Sequence, residues 1–536
     1  MPVSRRDFLS LSTGAATGMS LLPGLSVATA SQPMWQRSAE GHRQADLGDG
    51  TYLNPVLAGD YPDPTILRDG DDYYMTHSSF DAAPGILIWH SKDLVNWQPV
   101  GPALEKPLGI VFAMDLVKHN GRYYIYIPFM KAPWSPPLAS FANIMVIHAD
   151  SIEGPWSEPV DLYLGGVIDP GHIVDEKGQR WLFTSGIKRI RLADDGLSTV
   201  GELEQVYDGW EYPDDWITEA YALEGPKLFR RGDYFYLVSA VGGTAGPATG
   251  HMVIVARSKT IDGPWENCPH NPIVRTESED EKWWSRGHAT MLEGPQGKWY
   301  MVYHGYENGF RTLGRQTLVE PMGWDDDNWP IALGGDLSLP LPKPEGEVVP
   351  HGFTHSDNFT SSSLGTRWTF FGAAASEKSR VTYKPDGLKL KAAGSSPTDS
   401  APLVQAIGDQ AYEISVIVNL EAGTEAGLLL FYNNRLYLGM GQSESGMVTY
   451  RGGKVSHWRE PAPKSRKLHM KIRNDRHIVT FYYSEDGKSW KRHGVRNETS
   501  GYNVNTIDDL QGLKPAIFAC GHGSATFSQF TYRGLK

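Results

Sequence analysis

Residues 59–75 read GDYPDPTILRDGDDYYM. The stretch has a polar head (Asp60, Asp63), a short apolar run (Thr65, Ile66, Leu67), a turn (Asp69, Gly70) and an aromatic strand (Tyr73, Tyr74, Met75), which together sign a β-hairpin. The same order returns four times, as AMDLVKHNGRYYIYI from 113, DPGHIVDEKGQRWLF from 169, EGPKLFRRGDYFYLV from 224 and HATMLEGPQGKWYMV from 288. The aromatic anchors Tyr73, Tyr123, Trp181, Tyr234 and Trp299 stand 50 to 65 residues apart. A period of that size, with room for about four short strands per unit, predicts a five-bladed β-propeller.

Ten to twelve positions before each anchor stands the residue that heads the first strand of its blade: Asp63, Ala113, Asp169, Glu224 and His288. First strands line the central channel of a propeller, so these positions converge on one small space. Three carboxylates and a histidine gathered there are costly to bury unless they serve chemistry or ligand binding. Asp115, two residues beyond its blade head, points the same way and is expected to contact substrate or to brace the channel. A second repeat, SKDLVNW (91–97), IEGPW (152–156) and IDGPW (261–265), follows strands ending in small polar residues and reads as a structural turn with its Trp packed back on a neighbouring sheet.

Further along, the Trp324 to Pro330 run closes the propeller, and the chain from Ile331 to Pro350 is rich in Pro and Gly without amphipathic period. That composition predicts an extended linker lying on a surface. From Asp357 onward about ten strands of another style, from WTFFG at 368 to FSQFTYRG at 527, predict a two-sheet sandwich. The expected organisation is therefore all-β: a propeller over 46–335, a linker over 336–355 and a β-sandwich over 356–536. Ahead of these, Ser4-Arg5-Arg6-Asp7-Phe8-Leu9 and the small-residue site Ala28-Thr29-Ala30 predict a twin-arginine export signal over 1–30, and with it a periplasmic or secreted protein.

The composition fits an exported, soluble enzyme better than a binder of charged polymers. Asp plus Glu number 62 against 50 for Lys plus Arg, a net charge of -12, which argues against a nucleic-acid partner. No stretch approaches the ~20 continuous apolar residues of a membrane span. Seventeen tryptophans and twenty-five tyrosines suit sugar-stacking surfaces, although most must fill core between blades. The two cysteines, Cys268 and Cys520, make no metal or disulfide pattern. Nothing in the residues speaks to oligomeric state.

The runs NPVLAGDYPDPTILRDGDDYYM, PGILIWHSKDLVNW, EGPKLFRRGDYFYLVSAVGGT, RGHATMLEGPQGKWYMVYH and GRQTLVEPMGWDDDNWP resemble glycoside hydrolase family 43, in its β-xylosidase branch, and the tail from Asp357 resembles that branch's concanavalin-like sandwich. The resemblance implies an exo-acting hydrolase of plant-wall oligosaccharides that needs no cofactor. It implies Asp63 as general base, Glu224 as general acid, and Asp169 as the carboxylate that tunes the acid and orients substrate. Arg315 matches an arginine that grips sugar hydroxyls, and Phe80 and Phe112 fall where the family places sugar-pocket aromatics. His288 matches a channel-floor histidine which in some members sits beside a calcium or other divalent ion, so a water-mediated metal contact is one expectation for it. The chain departs from the family in having FAMD for WAPD and Asp81-Ala82-Ala83 after Phe80 in place of bulky aromatics. Xylose and arabinofuranose both stand as the released sugar, and a non-catalytic sugar-binding propeller is the weaker alternative because a lectin has no need of three channel carboxylates.

Overall fold

The computed structural model describes residues 34–536 except 107, 133–141, 373–376, 459–462 and 464. The export signal expected over 1–30 lies outside the described residues. Among the described residues no helix is long and apolar enough to cross a membrane.

Each repeat folds as an antiparallel meander of four strands, to which blades 2 and 4 each add a short fifth piece, Ile110–Val111 and Val274–Arg275. In blade 1 the strands are Thr65–Asp69, Asp72–Thr76, Gly85–Ser91 and Gln98–Leu104. Blade 2 begins with Asp115–His119, blade 3 with Gly171–Val174, blade 4 with Glu224–Arg231 and blade 5 with Trp283–Glu293. All five anchoring aromatics lie on second strands. The hairpin turns have local causes. In blade 2, His119 pairs with Arg122 across Asn120-Gly121, both at positive φ (49° and 80°), as the twist-matched two-residue turn of a hairpin requires.

The alternating apolar positions bury against the next blade. Ile86 and Ile88 of blade 1 pack with Ile125 and Ile127 of blade 2, Tyr126 and Ile144 with Leu182 and Ile190 of blade 3, and Phe183 with Leu237 and Ile254 of blade 4. A larger cluster joins Val238 and Val253, Met301 and Val319 of blade 5, and Met75 and Trp89 of blade 1. The ring is closed by the segment leading into blade 1. Val56 donates its N–H to Thr317 O (2.9 Å), Tyr61 to Arg315 O (3.0 Å), and Asn54 exchanges two hydrogen bonds with the backbone of Val319.

The ten strand segments read from the sequence after residue 357 all form, within two sheets that enclose Trp368, Ile414, Leu428, Leu438, Phe481 and Phe527. Short pieces at sheet edges, such as Val381–Lys384 and Lys454–His457, and a single helical turn, Glu377–Arg380, go beyond that reading. The propeller supplies a strand to this sandwich. Ala82–Ala83 pairs with Phe370 and Phe371, extending one of the sheets.

The Pro-rich stretch after blade 5 runs back along the propeller. Leu341–Pro342 pairs with Thr51–Tyr52, Lys343 Nζ reaches Asp46 (2.7 Å) and Asp93 (3.3 Å), and Gly352 donates to Trp97 O (2.7 Å). Residues 35–45, for which the sequence offered no assignment, lie across both folds. Arg37 pairs with Asp409 of the sandwich, Glu40 accepts the N–H groups of His355 and Ser356, and Arg43 reaches Glu307 and Gln316 of blade 5.

Candidate active site

The backbone bends sharply at three of the five head positions. Asp63, Asp169 and His288 all hold positive φ (56°, 54° and 59°), a region that non-glycine residues occupy at a cost and that clusters at functional sites. Gly225, directly after Glu224, lies there too at 62°. The bend brings the head residues of blades 1, 3, 4 and 5 together. Blade 2 contributes the uncharged Ala113.

Asp63 is buried and has several partners. Arg315 Nη1 donates to its Oδ1 at 2.7 Å, Ser78 Oγ donates to Oδ2 at 2.6 Å, and His304 Nδ1 lies 3.0 Å from Oδ1. Burial alone would raise its pKa, but the charge of Arg315 foremost, then His288 and His304, holds it well below the usual carboxylate range. Asp63 is therefore an ionised carboxylate. Arg315 is itself buried, and its Nη2 has no hydrogen-bond partner among the described residues, which leaves one donor beside the base for a ligand oxygen. Its guanidinium lies 5.7 Å from the ring of Phe80, which in turn meets Phe112 edge-on at 5.8 Å.

Glu224 is half-buried in surface terms yet sits deep in the channel. Desolvation first and the negative charge of Asp169 second push it up to about 8, so it carries a proton at neutral pH. Asp169 Oδ2 accepts the N–H of Gly225 at 3.1 Å and lies 3.5 Å from His288 Nε2. Burial disfavours a charged His288, but Asp63, Asp169 and Glu224 together raise its pKa. A Cβ on Gly225 would stand 2.9 Å from His288 Nε2, so the imidazole lies flat against the backbone that follows the candidate acid.

Asp115 is buried in the channel wall and hydrogen-bonded on both carboxylate oxygens. Its Oδ1 accepts from Lys227 Nζ (2.7 Å) and Thr65 Oγ1 (3.1 Å), and its Oδ2 accepts the N–H of His172 (2.7 Å). Lys227 also donates to Met114 O and Pro170 O, so the buried pair ties blades 1 to 4 together around the channel. Lys227 was invisible in the sequence because it sits inside an ordinary strand pattern. The same holds for His304, whose Nε2 reaches Thr244 Oγ1 at 3.0 Å, and for Ser78. Of the three only His304 carries a signal, a polar residue in the otherwise largely apolar strand Trp299–Glu307, while Ser78 lies just beyond the strand Asp72–Thr76.

The ring neighbours of His304 are His288 (6.1 Å) and His251 (5.3 Å), and among the described residues no group of three or more His, Cys, Asp or Glu is arranged to hold a metal ion.

A family model described as glycosyl hydrolases family 43 matches residues 52–330, and one described as the beta xylosidase C-terminal concanavalin A-like domain matches 356–533. The chain is 32% identical over 386 residues to a xylan 1,3-beta-xylosidase of Vibrio sp, covering 64% of this chain and 69% of the relative. It is 31% identical over 373 residues to a non-reducing end alpha-L-arabinofuranosidase of Bacteroides ovatus, covering 64% and 66%. Among solved structures, the GH43 BlXynB protein from Bacillus licheniformis superposes with a TM-score of 0.81 at 28% identity, over 90% of this chain and 100% of that one.

Proposed function

The chain belongs to glycosyl hydrolase family 43, and we propose that within it the protein is an exo-acting, inverting β-1,4-xylosidase that releases xylose from the non-reducing ends of xylo-oligosaccharides. The observation that carries the reading is the opposite protonation of two carboxyls on separate blades. Asp63, held ionised by Arg315, takes a proton from water as that water attacks the anomeric carbon. Glu224, protonated up to about pH 8, gives its proton to the glycosidic oxygen as the carbon–oxygen bond breaks. Exchange with solvent then removes the proton from Asp63 and restores the one on Glu224. Blades 1 and 4 are not neighbours in a ring of five, so the two groups enter the channel from different sides, and inversion requires a gap of roughly 6.5–9.5 Å between them to hold the water. Asp169 keeps the proton on Glu224 and accepts the N–H of Gly225 after it, the His288 ring lies against that backbone, and the spare Nη2 of Arg315 grips a sugar hydroxyl.

Release of α-L-arabinofuranose is the second reading. The Bacteroides ovatus relative acts, by its name, on that sugar, and here the segment after Phe80 is drawn into a strand with the sandwich where a bulky aromatic would wall the pocket. The twin-arginine pattern supports action outside the cytoplasm, on substrate in the periplasm or medium. Purified protein assayed with 4-nitrophenyl β-xyloside and 4-nitrophenyl α-arabinofuranoside separates the two sugars, and inactivity on both rejects the glycosidase reading. NMR of the fresh product tests the stereochemistry: inverted configuration supports Asp63 as base, and retention contradicts it.

A further inference from the structure

Glu224 is reached through residues 206–223, VYDGWEYPDDWITEAYAL, which join the last strand of blade 3 to the first strand of blade 4. Connections of this kind, and those between second and third strands, lie on the face of the propeller where first strands begin. That is the face of the catalytic carboxyls. The loop is fastened there to residues 242–250 of blade 4: Glu219 Oε2 accepts the N–H groups of Ala245 (2.7 Å) and Gly246 (3.1 Å), and Gly242 donates to Tyr221 O (2.9 Å). Thr244, within the same connection, contacts His304 and through it Asp63.

The loop's aromatic side chains form one stack. Arg275 Cζ lies 3.4 Å from the ring centre of Trp216, Trp216 lies parallel to Tyr212 at 6.3 Å, and Tyr212 meets Tyr221 at 5.8 Å. The stack ends at Tyr221, which is 37% exposed and whose hydroxyl is tied to Asp208 O at 2.9 Å. Ile217, in the same loop, is 69% exposed. Self-packing of the loop accounts for Trp216 and Tyr212. It does not account for a rigidly held tyrosine and an isoleucine turned to solvent at the rim of the catalytic face.

We propose that Tyr221 and Ile217 form the binding surface for the departing part of the substrate, the pyranose units on the reducing-end side of the cleaved bond. This rests on the glycosidase reading above, since a general acid must stand beside the oxygen of the leaving sugar, and the loop is covalently continuous with that acid. An apolar sugar face stacks on such a surface, and a stack already ordered by Arg275 loses little conformational freedom on binding.

The test compares kcat/KM on xylotriose with kcat/KM on β-xylosyl fluoride, whose leaving group is a single atom, or the arabinofuranosyl counterparts if that sugar is preferred. Tyr221→Ala and Ile217→Ser should each lower the xylotriose value, Tyr221→Ala by ~3- to 10-fold, the worth of one aromatic contact. The fluoride value should stay within about twofold, and Tyr221→Phe, which keeps the ring, should hold both. Equal losses on both substrates, or no loss on xylotriose, overturn the surface while the enzyme reading stands. An unmodified protein inactive on both rejects the glycosidase reading, and the surface falls with it.

Discussion

Arg315 Nη1 lies 2.7 Å from Asp63 Oδ1, with both side chains buried. The base acts only when ionised, so activity rises as pH climbs through the Asp63 pKa, and the adjacent cation sets that limb low. Arg315→Met removes the largest influence holding the proton off. The acid limb of kcat/KM against pH should move to higher pH, and the plateau should fall on the order of 100-fold or more with the lost donor. A limb that stays in place would remove Arg315 from the control of Asp63.

Glu307 is buried where three parts of the chain meet, with Arg43 Nη2 at 2.8 Å, Lys282 Nζ at 2.6 Å and Gln410 Nε2 of the sandwich at 2.6 Å. Burial raises its pKa, but Arg43 and then Lys282 outweigh it and bring it to about 2. The folded value is below the unfolded one of ~4.3, so the stability it confers, on the order of 3 kcal/mol, is fully present above that pH and is lost as pH falls toward the folded value. Urea midpoints of the unmodified protein should drop across this window. Glu307→Gln should start lower at neutral pH and drop less; parallel curves for the two proteins would contradict the assignment.

Gly225→Ala places a side chain at φ 62° and against the His288 ring. The backbone cost alone is ~1–2 kcal/mol. Displacement of His288 should add a loss of kcat that exceeds what the lowered Tm explains. Full activity with an unchanged Tm would show that the ring does not depend on this contact.

The propeller was legible because its repeat is local: each hairpin announces itself within 15 residues, and period alone put Asp63, Asp169, Glu224 and His288 on one channel. What sets their protonation was not. His304 is 241 positions from Asp63, and Lys227 is 112 from Asp115, so these partners meet only once the ring closes and carry no spacing signal. The strand at Ala82–Ala83 was hidden for the same reason. Two alanines in a loop gain strand geometry only from the sandwich edge they complete.

Asp60 fixes the two folds to each other. Its Oδ2 accepts Lys514 Nζ at 2.7 Å and the N–H of Gly512 at 2.8 Å, both from the sandwich. Asp60→Ala leaves the largely buried ammonium unpaired and should cost about 3 kcal/mol. Calorimetry should show one transition for the unmodified protein and two for the variant. A single unshifted transition would mean that the folds are held without this pair.

Glu224→Gln probes the proposed proton donor itself. Glutamine keeps the shape and removes the proton, so kcat/KM on xylobiose should fall by about 10²- to 10⁴-fold, and the decline of activity above pH ~8 should disappear. On 2,4-dinitrophenyl β-xyloside, or the arabinofuranoside if that sugar is preferred, the leaving group needs little protonation, and most of the rate should remain. Equal losses on the two substrates would contradict the account.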